Sequence, residues 1–402
     1  MPIRCVAVKI EPRVSEPAPV ERLSFIRRTP GRLVPVARRL VVPVAAYAGG
    51  RVVVLMGQLV SGLGVRPTPY RSAFLRYDAA WYLNVARSGY PAHVATSGGH
   101  ARQSTIVFFP LYPMLVRLVA RGTGIDYRVA SELVVTLAGL ASVVAVWFVV
   151  RRVWGHDVAD RTAVLFCFFP GFMAWGLGYA EPLAVALSAA CLLALLEQRW
   201  LVAGLCGALA TAARPNAIVL VLCCAVAAVM AARDERRLAP FIAPLLAPLG
   251  WATFMFFLWR RTGDLGAWAR VERDGWNAHF DGGLETLRRV RQIFTQPFAA
   301  PFGGLDALVV TGGVVVAIGL GWALWRSRAP LVFLVYSYAL VALSLGWAGV
   351  GMRPRFVETA FPLVAALALR LRAVPLAITA AVAAGALLAL TVITTTTVYV
   401  TP

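Results

Sequence analysis

FLRYDAAWYLNVARSGYPAHVATSGGHARQSTIVFFPLYP, residues Phe74–Pro113, is the stretch around which the chain is organised. Its acid, Asp78, opens a helix-compatible run that puts Trp81, Tyr82 and Val85 on one face. A loop with His93, His100, Arg102 and Gln103 follows, and the chain then turns apolar, interrupted by Pro110 and Pro113. An apolar run, Leu40–Val60, precedes the stretch and a train of further apolar runs follows it. Runs of about 20 apolar residues are read as bilayer-crossing helices. A polar, aromatic-rich segment between such runs belongs at the membrane surface, because amphipathic rings prefer headgroup depth. The expectation is a surface helix over Asp78–Ser88. Ile106–Val119 is too short and too proline-broken to span, so an interfacial or re-entrant helix is expected there.

Working outward, 59% of the 402 residues are hydrophobic and 14% charged, against about 25% charged in an average soluble domain. Backbone groups inside lipid must be satisfied within helices or a closed barrel. The apolar runs are continuous, not alternating, which excludes the barrel pattern. The chain is therefore read as an all-α polytopic membrane protein of about 11 transmembrane helices. A cytoplasmic basic tail is expected over 1–39 and the membrane domain over 40–399, with extracytoplasmic loops at 61–128 and 260–304.

The formal charge of +20 does not indicate a nucleic-acid partner. Its arginines sit in short clusters between apolar runs, such as Arg151-Arg152, Arg233 to Arg237 and Arg326 to Arg328. Such clusters mark loops facing a cytoplasm and its anionic leaflet. Alternating the spans from an inside N-terminus puts these connectors in the cytoplasm and the polar, acid-bearing loops outside. The cysteines fall mostly within apolar runs and suggest neither a metal cage nor a disulfide framework. Several runs are short, as expected of helices that tilt or end within a cavity.

The ordered pieces LRYDAAWYLNVARSGYP (75–91), FFPLYPMLVRL (108–118), FCFFPGFMAWGLGYAEPL (166–183), ARPNAIVL (213–220), RRTGDLGAWARVERDGW (260–276) and RPRFVETAFPL (353–363) resemble the PIG-V-like membrane mannosyltransferases. These belong to the GT-C fold superfamily of polyprenyl-phosphate-sugar-dependent glycosyltransferases. The resemblance covers most of the chain from 74 to 363. It implies a GT-C-type helical bundle and a catalytic carboxylate in the first extracytoplasmic loop, a role that carries over onto Asp78. It also implies a polyprenyl-phosphate-linked mannose donor and a lipid or glycan acceptor. The family's usual Arg-Trp-Asp triplet is Arg76-Tyr77-Asp78 here. Eukaryotic members build a GPI anchor. The Arg/Ala/Gly/Val-biased composition points to a bacterial plasma membrane, so that acceptor does not carry over. A monomer is expected.

Glycosyl transfer from a lipid phosphate needs a base for the acceptor hydroxyl and cations around the leaving phosphate. Asp78 is the candidate base; its bland role is to cap the helix that begins at Ala79. Arg353 and Arg355, flanking Pro354, are the first candidates for the phosphate, since guanidinium clamps phosphate oxygens in pairs. Arg214 is the next; otherwise it is a charge at a helix break before Pro215. Tyr82, His93, His100, Tyr179, Glu181, Asp264, Glu272 and Asp274 are candidates for binding substrates. Against this, loop acids and histidines are often merely solvated, and Glu181 suits a helix first turn. A divalent metal on Asp78 and a second external acid is left open. The rival from another class is a secondary transporter or lipid flippase, which should carry charges near span midpoints and paired broken helices.

Overall fold

The computed structural model describes residues 39–63, 70–235, 238–295, 303–349 and 351–396; most of the basic tail lies outside them. The first span, α1 (Val41–Ser61), leads to a short α2 (Tyr70–Phe74) and to α3 (Asp78–Ser88). A two-stranded hairpin, β1 (Thr96–Ser97) and β2 (His100–Ala101), precedes α4 (Leu111–Thr123). The bundle continues through α5 (Tyr127–Trp154), α6 (His156–Phe168), α7 (Glu181–Leu196), α8 (Trp200–Ala213) and α9 (Val219–Glu235). Then come α10 (Ile242–Leu246), α11 (Leu249–Thr262), α12 (Ala267–Arg270) and α13 (Leu284–Thr295). The last elements are α14 (Gly303–Trp325), α15 (Leu331–Gly346), α16 (Pro354–Thr359), α17 (Pro362–Arg370) and α18 (Ala373–Thr396).

A helix is present over the expected bounds, Asp78–Ser88. Asp78 in its first turn and Arg87 in its last complement the helix dipole. Gly89 ends it at φ +79°, a backbone conformation that side chains disfavour. Where one helix is expected over Ile106–Val119, the chain forms a 3₁₀ turn at Thr105–Val107 and, after a break, α4. Both α3 and α4 pack with α5 and with Phe254 and Leu258 of α11 in one apolar cluster, which includes Phe74, Tyr82, Tyr90, Phe109 and Tyr112.

The span count differs from the expectation of about 11. Among the described residues six helices are long and apolar enough to cross a bilayer, and the number rises to seven by length if the pair His156–Phe168 and Pro170–Gly176, bent by 73°, counts as one span. The apolar runs at 182–196, 201–213 and 331–350 form helices of 16, 14 and 16 residues. At about 1.5 Å per residue these are several ångströms short of a hydrocarbon core of about 30 Å. The run at 356–370 is divided by the break at Ala360–Phe361 into α16 and α17. Composition measures how apolar a run is, but not where its helix stops.

Apolar rows still face outward, as lipid requires. Leu201, Leu205 and Leu209 repeat every fourth residue along α8 and are 53%, 50% and 45% exposed. Between helices, lipid offers little hydrophobic driving force, so close packing of small residues takes over. Ala189, Ala203, Ala210, Ala243 and Ala247 are buried where α7, α8 and α10 meet. The break after α6 frees carbonyl groups, and α1 satisfies them: Arg51 donates to Trp175 O at 2.8 Å and Gln58 to Gly176 O at 2.9 Å. These polar residues inside a span thus have a structural reason.

Candidate active site

Four of the shortened elements end at one place. The N-terminus of α7 (Glu181), the C-terminus of α8 (Arg214), the C-terminus of α15 (Ser344, Trp347) and the start of α16 (Arg353, Arg355) meet α3 around a cavity of about 650 Å³. Five tryptophans line it, Trp81, Trp251, Trp268, Trp276 and Trp347, together with Tyr77, Tyr82, Phe108 and Tyr179. Trp81 stacks on Phe108 with centroids 5.9 Å apart, and Trp276 stands edge-on to both. The polar residues on the wall are Asp78, Arg214, Asn216, Glu272, Ser344, Arg353 and Arg355.

Asp78 does not cap the helix that it begins. Arg355 Nη1 lies 3.2 Å from its Oδ2, and its own backbone N–H faces the Tyr179 hydroxyl oxygen at 3.4 Å. The residue before it, Tyr77, has φ +54°, a conformation costly for an aromatic residue and common where function fixes the backbone. The Tyr77 hydroxyl donates to Thr394 O of α18 at 2.9 Å, which anchors the bend that aims Asp78.

Arg355 is shared. Its Nη1 also lies 3.4 Å from Glu181 Oε1, while Glu181 Oε2 forms a short ion pair with Arg214. The order along this network is Asp78, Arg355, Glu181, Arg214, two acids and two bases in balance. The Arg355 guanidinium also lies over the ring of Tyr179 at 5.4 Å and that of Phe356 at 4.8 Å. Gly171 brings the start of α16 close to the 3₁₀ turn of 170–176; a Cβ there would stand 2.5 Å from Pro354 O.

Arg353 belongs to a different set of partners. It pairs with Asp306 at 2.9 Å, and the other oxygen of Asp306 takes Arg289 at 2.7 Å. Arg289 in turn reaches Glu285 at 3.0 Å. The 260–295 segment is further tied to the end of α15: Asp281 N–H donates to Gly346 O at 3.0 Å and Ala348 N–H to His279 O at 2.8 Å.

Within that segment Glu272 faces the cavity. Burial, with the negative charge of Asp78 adding to it and Arg214 opposing, pushes its carboxyl up to about 8. It is therefore mostly protonated at pH 7 and can donate a hydrogen bond. Asp274 and Asp264 do not line the cavity. Asp274 pairs with Arg273 and accepts from Ala101 N–H at 3.2 Å, bracing the hairpin. Asp264 forms a short pair with Arg270 and accepts from Gly266 N–H at 2.8 Å. His93 and His100 are exposed on the loop and hairpin, away from the cavity lining. Of the residues singled out from sequence, the structure thus brings together Asp78, Tyr82, Tyr179, Glu181, Arg214, Glu272, Arg353 and Arg355.

Sequence reasoning missed Asp306, Trp251 and Trp347. Asp306 had a signal, an acid at the edge of an apolar run; the two tryptophans had none apart from their neighbours. Among the described residues no three His, Cys, Asp or Glu side chains cluster as a metal cage would need. The charged groups on the cavity wall are carboxyls and guanidiniums.

The arrangement of helices is similar to that of a solved structure. ArnT from Cupriavidus metallidurans, solved with undecaprenyl phosphate bound, is similar with a TM-score of 0.50 at 14% identity, over 82% of this chain and 60% of that one. The fold is of the GT-C type. The same protein in the apo state gives 0.49 at 16% identity, over 84% of this chain and 61% of that one. The apo oligosaccharyltransferase of Archaeoglobus fulgidus gives 0.48 at 11% identity, over 90% and 56%. This chain spans about 60% of the length of ArnT. No protein-family profile and no curated protein sequence matches it.

Proposed function

We propose that the protein is an inverting glycosyltransferase that moves mannose from a polyprenyl-phosphate donor to a hydroxyl of a lipid or glycan. It works as a monomer in a bacterial plasma membrane, with the cavity on the extracytoplasmic side. The observation that carries this reading is the Asp78 carboxylate held beside Arg355 on the wall of a large aromatic cavity. The GT-C fold supports it, and so does the lipid phosphate bound by the similar ArnT structure. The choice of mannose rests on the resemblance to PIG-V-like segments.

In this reading the acceptor hydroxyl gives its proton to Asp78 as its oxygen attacks the anomeric carbon. The bond from that carbon to the phosphate oxygen breaks, and its electron pair leaves with the phosphate. A phosphodiester leaves without strong protonation, so one carboxylate is enough and a single displacement inverts the centre. Arg355 and Arg214, fixed by the fully buried Glu181, face the charge that develops on the leaving phosphate. Arg353 adds positive potential from its own side. Glu272, protonated at neutral pH, donates a hydrogen bond on the acceptor side. The tryptophans and Phe108 offer flat apolar faces to a sugar ring and the first isoprene units. Asp264, Asp274, His93 and His100 shape the loops around this centre.

The test is to incubate the purified protein with polyprenyl-phosphate-mannose and a membrane-lipid extract and to follow products by mass spectrometry. A mannosylated product with release of polyprenyl phosphate is expected. Donor that stays intact with every acceptor fraction would overturn the reading.

A further inference from the structure

Asp78 cannot serve as a free base while Arg355 holds it, and Arg355 cannot give both arms to a phosphate while it holds Asp78. We infer that these two facts are one device: a phosphate group entering the cavity takes Arg355 from Asp78, and this exchange releases the carboxylate. The inference rests on the phosphate site proposed above and adds an order of events to it.

The geometry says which contact yields. Arg355 has two acidic partners, Asp78 at 3.2 Å and Glu181 at 3.4 Å. The Glu181 side chain has no exposed surface and is ion-paired with Arg214 as well as Arg355, so neither water nor substrate can replace its contacts. The Asp78 side chain is 27% exposed and lines the cavity, so water and substrate can replace its contact. Its other oxygen, Oδ1, makes no hydrogen bond or ion pair among the described residues. Arg355 is poised rather than saturated, since its Nε is buried with no hydrogen-bond partner among the described residues. Guanidinium prefers a planar, two-point grip on an oxyanion over single contacts of 3.2 Å and longer.

Charge points the same way. With Asp78, Glu181, Arg214 and Arg355 alone the network sums to zero, so an entering anion must displace an internal one to gain a full positive partner. The displaced carboxylate is left without its cation, and its lone pairs are open to the proton of an acceptor hydroxyl. The contact also strengthens along the reaction. A sugar-bearing phosphodiester carries one negative charge, and the departing phosphate monoester carries more. Arg355 is then held most firmly as the phosphate leaves, in the sense required of a transition-state contact.

The exchange predicts a specific coupling, measured on the full-length purified protein. Geranyl phosphate is titrated by isothermal calorimetry against wild type, Asp78→Asn, Arg355→Gln and the double variant. Removing the internal competitor should tighten binding about fivefold or more in the Asp78→Asn protein, within the usual range of coupling between sites. In the Arg355→Gln background the same change should have little effect, because no pair remains to be broken. Equal tightening in both backgrounds would mean simple repulsion between Asp78 and the ligand, and would overturn the exchange. No tightening in either would overturn it as well. Should the Gln variant not fold, Arg355→Lys replaces it, and Asp78→Asn should then tighten binding by clearly less than it does in the wild-type background; equal tightening overturns the exchange. Arg214→Gln separates the two readings: if neither arginine variant weakens binding, the phosphate site itself is wrong; if they weaken it and the coupling is absent, only the exchange is wrong. Inorganic phosphate, run in parallel, should show the same cycle with weaker binding. A cycle for inorganic phosphate without one for the prenyl ester would exclude a lipid as the ligand.

Discussion

Arg353 and Arg355 stand two residues apart on either side of Pro354, and different acids hold them. Arg355 is tied to Asp78 and Glu181, at the junction of α3, α7 and α8. Arg353 is tied to Asp306, and through it to Arg289 and Glu285 of α13. The first network includes an acid open to the cavity with one oxygen unpaired among the described residues; in the second, both oxygens of the central acid are already taken by arginines. Two neighbouring guanidiniums with the same chemistry thus have different work. One is arranged to exchange a partner, the other to tie the start of α16 to α13 and α14 through Arg289 and Asp306.

The comparison breaks most readily at the two acids. Asp78→Asn should lower turnover by about 10²- to 10⁴-fold, the range for loss of a general base. Asp306→Asn should leave the chemical step within about tenfold and act mainly on substrate affinity. Steady-state kinetics with a fluorescent prenyl-phosphate-mannose would separate the two effects, and equal losses would erase the distinction between the networks.

At the arginines the expected contrast is smaller. Arg355→Gln should weaken donor binding by about tenfold or more, in line with loss of charge-assisted hydrogen bonds. Arg353→Gln should weaken it by less, since its guanidinium is engaged by Asp306; calorimetric titration reads both. Glu181→Gln tests the fixed end of the first network. Removing the charge from a buried pair leaves its partners uncompensated and costs about 3 kcal/mol or more. A lower melting temperature in detergent is expected, together with a lower donor affinity.

The smallest effect concerns pH. The Glu272 carboxyl, pushed up to about 8 by burial and by Asp78, binds its proton more tightly in the folded chain than in the unfolded one. It therefore subtracts stability progressively as pH rises from its ordinary 4.5 toward 8. Its ionisation also adds a negative charge to the cavity that holds Arg214, the guanidinium whose charge opposes the upward shift of Glu272. Donor affinity should fall as pH passes about 8, and Glu272→Gln should remove that limb while the rest of the profile stays. A limb that persists in this variant would assign the titration to another group.

Much of this was legible in the sequence at the level of chemistry, less at the level of length. The helix over Asp78–Ser88 was readable because Asp78 marks its start and Trp81, Tyr82 and Val85 fall on one face. The convergence of Asp78, Tyr179, Glu181, Arg214, Glu272 and Arg355 followed from placing their loops on one side of the membrane. The helix count failed at α7, α8, α15 and the α16–α17 pair, because an apolar run reads alike whether its helix crosses the bilayer or stops at a cavity. Glu181, Arg214 and Arg353-Pro354-Arg355 were the markers of those stops. The separation of Arg353 from Arg355 was not legible, since it depends on Asp306, which is distant in the chain. His93, His100, Asp264 and Asp274 had suitable chemistry, but their partners or their exposure place them outside the cavity.

The central claim is that the carboxylate at position 78 accepts the proton of the attacking hydroxyl. Single-turnover transfer, with Asp78→Asn saturated by donor and compared with wild type, tests it most directly because binding is removed from the comparison. Bound donor that stays unreacted in the variant, while wild type converts it, is the predicted result. Conversion at the wild-type rate would contradict the account and leave Asp78 a residue of the cavity wall.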